Sequence, residues 1–142
     1  MSVKNILDDK GNLVYTVLID QKINDAIEVL NRHNIGVVVV VDKDNRIKGI
    51  LSERDIIRKM EDHSASIYVA PVKSCMTADP LTCTKEETID EVMNIMTKYK
   101  IRHLPVIEDN RLAGLISIGD IVKRKIEISE QEASALRDYI AG

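Results

Sequence analysis

Ser117 and Asp120 stand where an apolar run, Leu112-Ala113-Gly114-Leu115-Ile116, gives way to a helical pattern. A helix that begins there presents free backbone N–H groups and the positive end of its dipole, which favour an anion such as phosphate. Ser117 adds a hydroxyl donor. Ionised Asp120 offers two acceptor oxygens, a match for the two hydroxyls of a ribose diol. Arg102 and His103, at the start of the preceding strand, can supply charge for phosphate. An apolar slot with strand-edge hydrogen bonds would complete a site for adenine. Together these groups suit a ribonucleotide. Another reading stands beside it: Ser-x-x-Asp is also a capping box, with Ser as the cap and Asp as the dipole partner. The two roles are compatible, because a ligand at a helix N-terminus uses the groups the cap leaves free. Arg102 and His103 equally suit a solvated strand edge.

The elements that must position this turn occur twice. When Ile35 is aligned with Ile101, Ile23 falls on Ile89, Ala26 on Val92, Ile27 on Met93 and Leu30 on Met96. Beyond a turn that is one residue shorter in the second copy, Gly49 falls on Gly114, Ser52 on Ser117 and Asp55 on Asp120. Similar lead-ins precede the copies, Val3 to Leu7 and Val72 to Met76. Ile23, Ala26, Ile27 and Leu30 recur at helical spacing, as do their counterparts, so each helix covers one side of a sheet. Thr84 to Glu87 resembles a capping box for the second of these helices. The β-branched run Val37 to Val41 suits a strand buried on both faces. Turns at Asp42 to Asn45 and Glu108 to Asn110 have hairpin chemistry. Each copy therefore reads as strand, helix, strand, strand, helix.

Glu61 to Ala70 reads as a polar linker, and Pro71 suits the start of a short helix. At the C-terminus, Val122, Ile126, Ser129, Ala133, Leu136 and Ile140 alternate at heptad-like spacing. Such a helix packs on a partner chain or folds back on its own domain. Ser129 to Glu132 offers a second helix start within it.

The 142 residues bound the chain to one domain or two small intimate ones. There is no Trp or Phe, so the core must be aliphatic. A net charge of −3 argues against a general nucleic-acid or anionic-membrane binder. Lys123-Arg124-Lys125 is the one compact basic run and suits a solvated helix face. The longest apolar run, Ile35 to Val41, is far too short to span a bilayer. The acidic N-terminal stretch does not suit a signal peptide, so a cytoplasmic location is expected. Cys75 and Cys83 form no Cys-x-x-Cys pair, and reduced thiols are expected. His33, His63 and His103 show no metal-ligand spacing, so no metal site is expected.

Taken together, Ile35 to Val40 with Gly49 to Asp55, and Ile101 to Val106 with Gly114 to Asp120, resemble paired cystathionine-β-synthase-type (CBS) domains, the Bateman module. The resemblance covers roughly residues 1 to 125. It implies an α/β (α+β) fold of two pseudo-twofold-related β-α-β-β-α CBS repeats packed through their sheets, with a C-terminal helix added. The expected boundaries are 1–62 for the first repeat, 63–71 for a linker, 72–126 for the second repeat and 127–142 for the terminal helix. The resemblance also implies two clefts, each taking its Asp from one repeat and its base-lining residues from the other. One would hold Asp120, Ser117, His103 and Arg102, faced by Ile35, Gly36 and Tyr15, with Lys10 in the lead-in. The other would hold Asp55, Ser52 and Val37, faced by Ile101, Thr77 and Leu81. The Asp120 cleft is preferred because its phosphate side is basic. The first repeat departs from the pattern, with Gly36-Val37-Val38-Val39 where the second has Arg102-His103-Leu104-Pro105, which removes polar groups from one possible site.

The function so implied is a stand-alone, non-catalytic regulatory sensor, binding AMP, ADP, ATP, NAD(H) or a related adenosyl ligand. It would relay occupancy through conformation or dimer contacts. A homodimer is expected, and no catalytic cofactor. The alternative is a structural dimerisation module with degenerate clefts. An enzyme is disfavoured: such modules occur inside inosine-monophosphate dehydrogenases, but this chain is too short for that barrel. No nucleophile motif, paired carboxylates or phosphate-loop glycine pattern appears either.

Overall fold

The apolar stripes become helices laid on sheets. In the first repeat, β1 (Thr16–Leu18) runs parallel to β2 (Val37–Val41), which pairs antiparallel with β3 (Ile47–Ser52). Val38, Val39 and Val40 are fully buried, as the continuous β-branched run requires. Helix α2 (Ile23–His33) crosses between β1 and β2 and buries Ile23, Ala26 and Leu30. Asn34 ends it in the left-handed region, φ 51°, where its short polar side chain is tolerated. After β3 comes α3 (Glu53–His63). The computed structural model describes residues 1–141, in side-chain detail for all but residues 63 and 64.

The second repeat repeats the plan with α4 (Ile89–Tyr99) and an antiparallel pair. We number its strands after the short β4 (Thr77–Ala78), as β5 (His103–Glu108) and β6 (Arg111–Ser117). The counterpart of β1 shrinks to Cys83, which bridges Val106 in parallel, its N–H and C=O bonded to Pro105 and Ile107 at 2.9 Å each. The cap of α4 is Thr88, whose Oγ1 accepts from the Glu91 N–H at 3.1 Å. The expected cap at Thr84 instead forms a turn with Glu87 just before the helix. The capping chemistry was right and its register was one turn early.

Each repeat is completed by the other's lead-in. Helix α1 (Val3–Lys10) sends Val3, Ile6 and Leu7 into the core built on β5, β6 and α4. The lead-in of the second repeat sends Val72 and Cys75 into the core of the first, and β4 adds a strand to β3. Gly49 and Gly114 mark the crossings. A Cβ on Gly49 would lie 2.8 Å from the Thr77 carbonyl oxygen, and one on Gly114 would lie 2.9 Å from the Leu7 methyls. The stretch read as a polar linker is a 3-10 segment (Ser64–Val69) anchored by fully buried Ile67. The hairpin tips join as well: Leu112 N–H donates to Asn45 O at 3.0 Å and Asn45 Nδ2 to Leu112 O at 3.2 Å.

Helix α5 (Ile118–Ala141) is continuous for 24 residues, so the terminal helix begins at the Ser117 turn and Ser129 does not interrupt it. Residues 129 to 141 are exposed throughout, so this end does not fold back. Arg124 ties α5 to α1 through Asp9 and the Asn5 carbonyl, and Lys125 bonds Asp90 at 2.6 Å. Two members of the basic run are thus held in ion pairs. Cys75 and Cys83 are free thiols in separate cores. Burial pushes Cys83 up to about 12, with Glu87 adding to the shift, which leaves it an inert thiol. No helix among the described residues is long and apolar enough to cross a membrane.

Candidate functional site

Both Ser-x-x-Asp turns adopt one geometry. In the first, Ser52 N–H donates to Asp55 Oδ2 at 2.9 Å and Asp55 N–H donates to Ser52 Oγ at 3.1 Å. In the second, Ser117 N–H and Asp120 N–H make the same two bonds at 2.9 and 3.1 Å. Each is a reciprocal capping box at the foot of a helix. The preceding strand closes on it from the side: Glu53 N–H bonds Gly36 O at 2.9 Å and Ile118 N–H bonds Arg102 O at 2.8 Å. Gly36 and Arg102 are therefore equivalent positions, each at the mouth of its own turn.

The carboxylates differ in what else they hold. Lys10 Nζ, at the end of α1, donates to Asp120 Oδ2 at 2.8 Å and to the Leu115 carbonyl at 2.9 Å. Burial pushes the Asp120 carboxyl up, but the Lys10 hydrogen bond and charge and the Ser117 N–H outweigh it and hold it below the usual range. Among the described residues Asp55 makes no ion pair. His103 is held below its ordinary value, chiefly by burial and also by Lys10 and Arg102, against the pull of Asp120.

A cavity of about 620 Å³ opens at the Asp55 turn. Its floor is Ser52, Glu53, Arg54 and Asp55, with Ile50 and the strand start Gly36-Val37 beside them. Thr77, Asp79, Pro80 and Leu81, carried by β4 and the loop leaving it, form one wall. Lys100, Ile101, Arg102 and His103 form another. A carboxylate at a helix start, three flanking cations and an apolar strip fall within the size range of small-molecule sites.

The structure thus gathers Asp55, Ser52, Val37, Ile101, Thr77 and Leu81, the members expected of one cleft, around one cavity. It adds Gly36, Arg102 and His103, expected beside Asp120, to the same cavity. Asp120, Ser117 and Lys10 meet at the other turn. Tyr15 and Ile35 pack against the first core, and Tyr15 stacks on His33 with ring centroids 3.7 Å apart. Sequence reasoning missed Ile50, Glu53, Asp79, Pro80 and Lys100. A signal existed for Asp79: extending the alignment of Val3 with Val72 and Leu7 with Met76 sets Lys10 against Asp79.

The family model for the CBS domain matches residues 6–62 and again 72–127. The CBS-domain containing protein ATU1752 from Agrobacterium tumefaciens superposes with a TM-score of 0.82 at 42% identity, over 88% of this chain and 99% of that one. CBS domain-containing protein CBSX3, mitochondrial, of Arabidopsis thaliana is 35% identical over 127 residues, 87% of this chain and 62% of the relative. This chain therefore spans less than two thirds of that relative's length. The CBS domain pair of protein MJ0100, solved in complex with 5′-methylthioadenosine and S-adenosyl-L-methionine, superposes with a TM-score of 0.76 at 27% identity, over 87% and 98%.

Proposed function

The chain belongs to the CBS-domain family, as two copies of that domain, and from that premise we propose that it is a non-catalytic regulatory module binding an adenosine-containing ligand at Asp55. The observation that carries this reading is the cavity of about 620 Å³ in which a capped carboxylate, in no ion pair among the described residues, faces residues of the other repeat. One Asp55 oxygen holds the cap, and the remaining lone pairs are available to a ribose diol. The free N–H groups of α3, with Arg54, Lys100 and Arg102 nearby, suit phosphate. Ile50, Val37, Ile101, Pro80 and Leu81 offer apolar surface to a base. AMP, ADP, ATP and NAD(H) share the adenosine moiety, as do the two ligands of the MJ0100 structure. Because the cavity takes walls from both repeats, occupancy can bias how they sit together, which is the differential contact a sensor needs. In this reading the protein acts in the cytoplasm as a homodimer.

Titration calorimetry of the full chain with AMP, ATP, NAD and S-adenosylmethionine tests the assignment. Asp55→Asn keeps an acceptor for the cap but loses the charge and one acceptor for a diol. We expect affinity to fall at least tenfold, about 1.4 kcal/mol or more, with the melting temperature nearly unchanged. Unaltered affinity in a folded variant would sink the assignment. Silence of the native chain toward all four ligands would favour a dimerisation module with unused clefts, which the occupied carboxylate of Asp120 already resembles.

A further inference from the structure

Lys100 stands where a lysine is out of place. It closes α4 in the left-handed region, at φ 55° and ψ 45°. The turn needs that conformation. It brings the Ile101 N–H onto the Met96 carbonyl at 3.0 Å, as the Ile35 N–H meets the Leu30 carbonyl in the first repeat. The first repeat fills the equivalent position with Asn34, at φ 51°. Gly or Asn is the usual occupant, because a longer side chain brings its Cβ too close to the following carbonyl without any local hydrogen bond in return. Among the described residues six non-glycine positions have positive φ, and five of them are Asn or Asp. Lys100 is the sixth, and it lines the cavity at Asp55. A residue kept in a conformation that disfavours it points to a use for its side chain. Compensation of the helix dipole is not that use, because Lys98 already stands in the last turn of α4.

The charges around it indicate the use. Lys100 and Arg102 share one wall of the cavity and Arg54 lies on its floor. Among the described residues none of the three is in an ion pair. Asp79, on the other wall, also has a positive φ of 45°, but Asp tolerates that region, so its place carries no such signal. The two arginines and the N–H groups of α3 suit a first phosphate, which planar guanidinium groups hold at fixed angles. A lysine is a point charge on a flexible four-carbon stem, suited to follow a phosphate chain beyond it. We propose that Lys100 is the residue by which this cavity selects adenosine ligands bearing a 5′-phosphate chain over uncharged or cationic adenosyl ligands. The inference rests on the adenosine reading of the Asp55 cavity and adds to it the class of ligand.

Calorimetry of the full chain with ADP and with adenosine tests it. Lys100→Asn gives α4 the residue that ends α2, so the variant should fold and its melting temperature should hold or rise. Its affinity for ADP should fall about fivefold, while its affinity for adenosine stays at the native value. Lys100→Arg keeps the charge on the same backbone and should keep most of the ADP affinity. Equal ADP affinity in the native chain and Lys100→Asn would overturn the inference. An equal loss in the Asn and Arg variants would overturn it too, because that pattern marks a structural role. Both results leave the Asp55 reading standing. A native chain silent toward ADP and adenosine alike defeats that reading, and this inference with it.

Discussion

Lys10 separates two turns that are otherwise built alike. Its counterpart in the second lead-in is Asp79, so one carboxylate meets a cation and the other shares its cavity with a second acid. The Lys10–Asp120 pair is about a quarter to a third exposed at its two ends, and pairs of that kind contribute about 1 kcal/mol or less. Removing it should therefore cost little stability and free the Asp120 oxygen. Calorimetry of Lys10→Ala should show a second adenosine-binding event where the native chain shows one, and a stoichiometry unchanged at one would show that Lys10 is not what closes that turn. His103 yields a pH signature. Its value is depressed by burial, so the unfolded chain takes up its proton first, and stability falls as pH drops through and below the ordinary His value of about 6.5. His103→Gln should flatten that loss in melting temperatures measured between pH 7 and 5, while losses at the depressed Asp120 set in only at lower pH. An unchanged slope would place the acid sensitivity elsewhere. The Ser-x-x-Asp boxes were legible in the sequence because both partners lie within one helical turn. The placement of Arg102 and His103 in the Asp55 cavity was not, because it depends on how two β-strand starts meet across the repeats.

At the scale of elements, periodicity told most of the story and failed where an element answers to a distant neighbour. Helices α2 and α4 follow their apolar stripes, and Val37 to Val41 is the buried strand its composition implies. The lead-in carries the same spacing in Val3, Ile6 and Leu7, but nothing local says what they cover: α1 buries them against a sheet about a hundred residues away along the chain. Gly49 and Gly114 are the sequence trace of those crossings, and they differ in what a methyl group would meet. At Gly49 it meets the Met76 side chain and the backbone oxygen of Thr77, which also lines the cavity; at Gly114 it meets only the terminal methyls of the Leu7 side chain. Gly49→Ala should therefore destabilise by about 1–3 kcal/mol, and Gly114→Ala by less, because Leu7 can shift its rotamer. Urea denaturation reads both. The reverse order would mean that β4 yields more easily than α1. Gly49→Ala should also weaken ligand binding, by displacing Thr77.

The exchange of lead-ins makes the whole molecule one cooperative unit despite its two cores. Each core lacks two or three of its buried residues until the other repeat's lead-in supplies them: Val3, Ile6 and Leu7 for one, Val72 and Cys75 for the other. Burying an aliphatic side chain contributes roughly 1.5–3 kcal/mol. Losing two or three such side chains removes several kcal/mol, a large share of the roughly 5–15 kcal/mol that holds a domain folded. Neither repeat can therefore melt and leave the other intact. Circular dichroism and a probe placed in either repeat should report a single coincident unfolding transition, and two separated midpoints would refute the interlock. Deleting residues 1 to 10 should unfold the second repeat, which those residues complete, although they lie at the far end of the sequence from it. The same coupling gives a cavity ligand its reach: a nucleotide that binds only the native state raises the one shared midpoint with concentration, and so stabilises α5 and α1 without touching either.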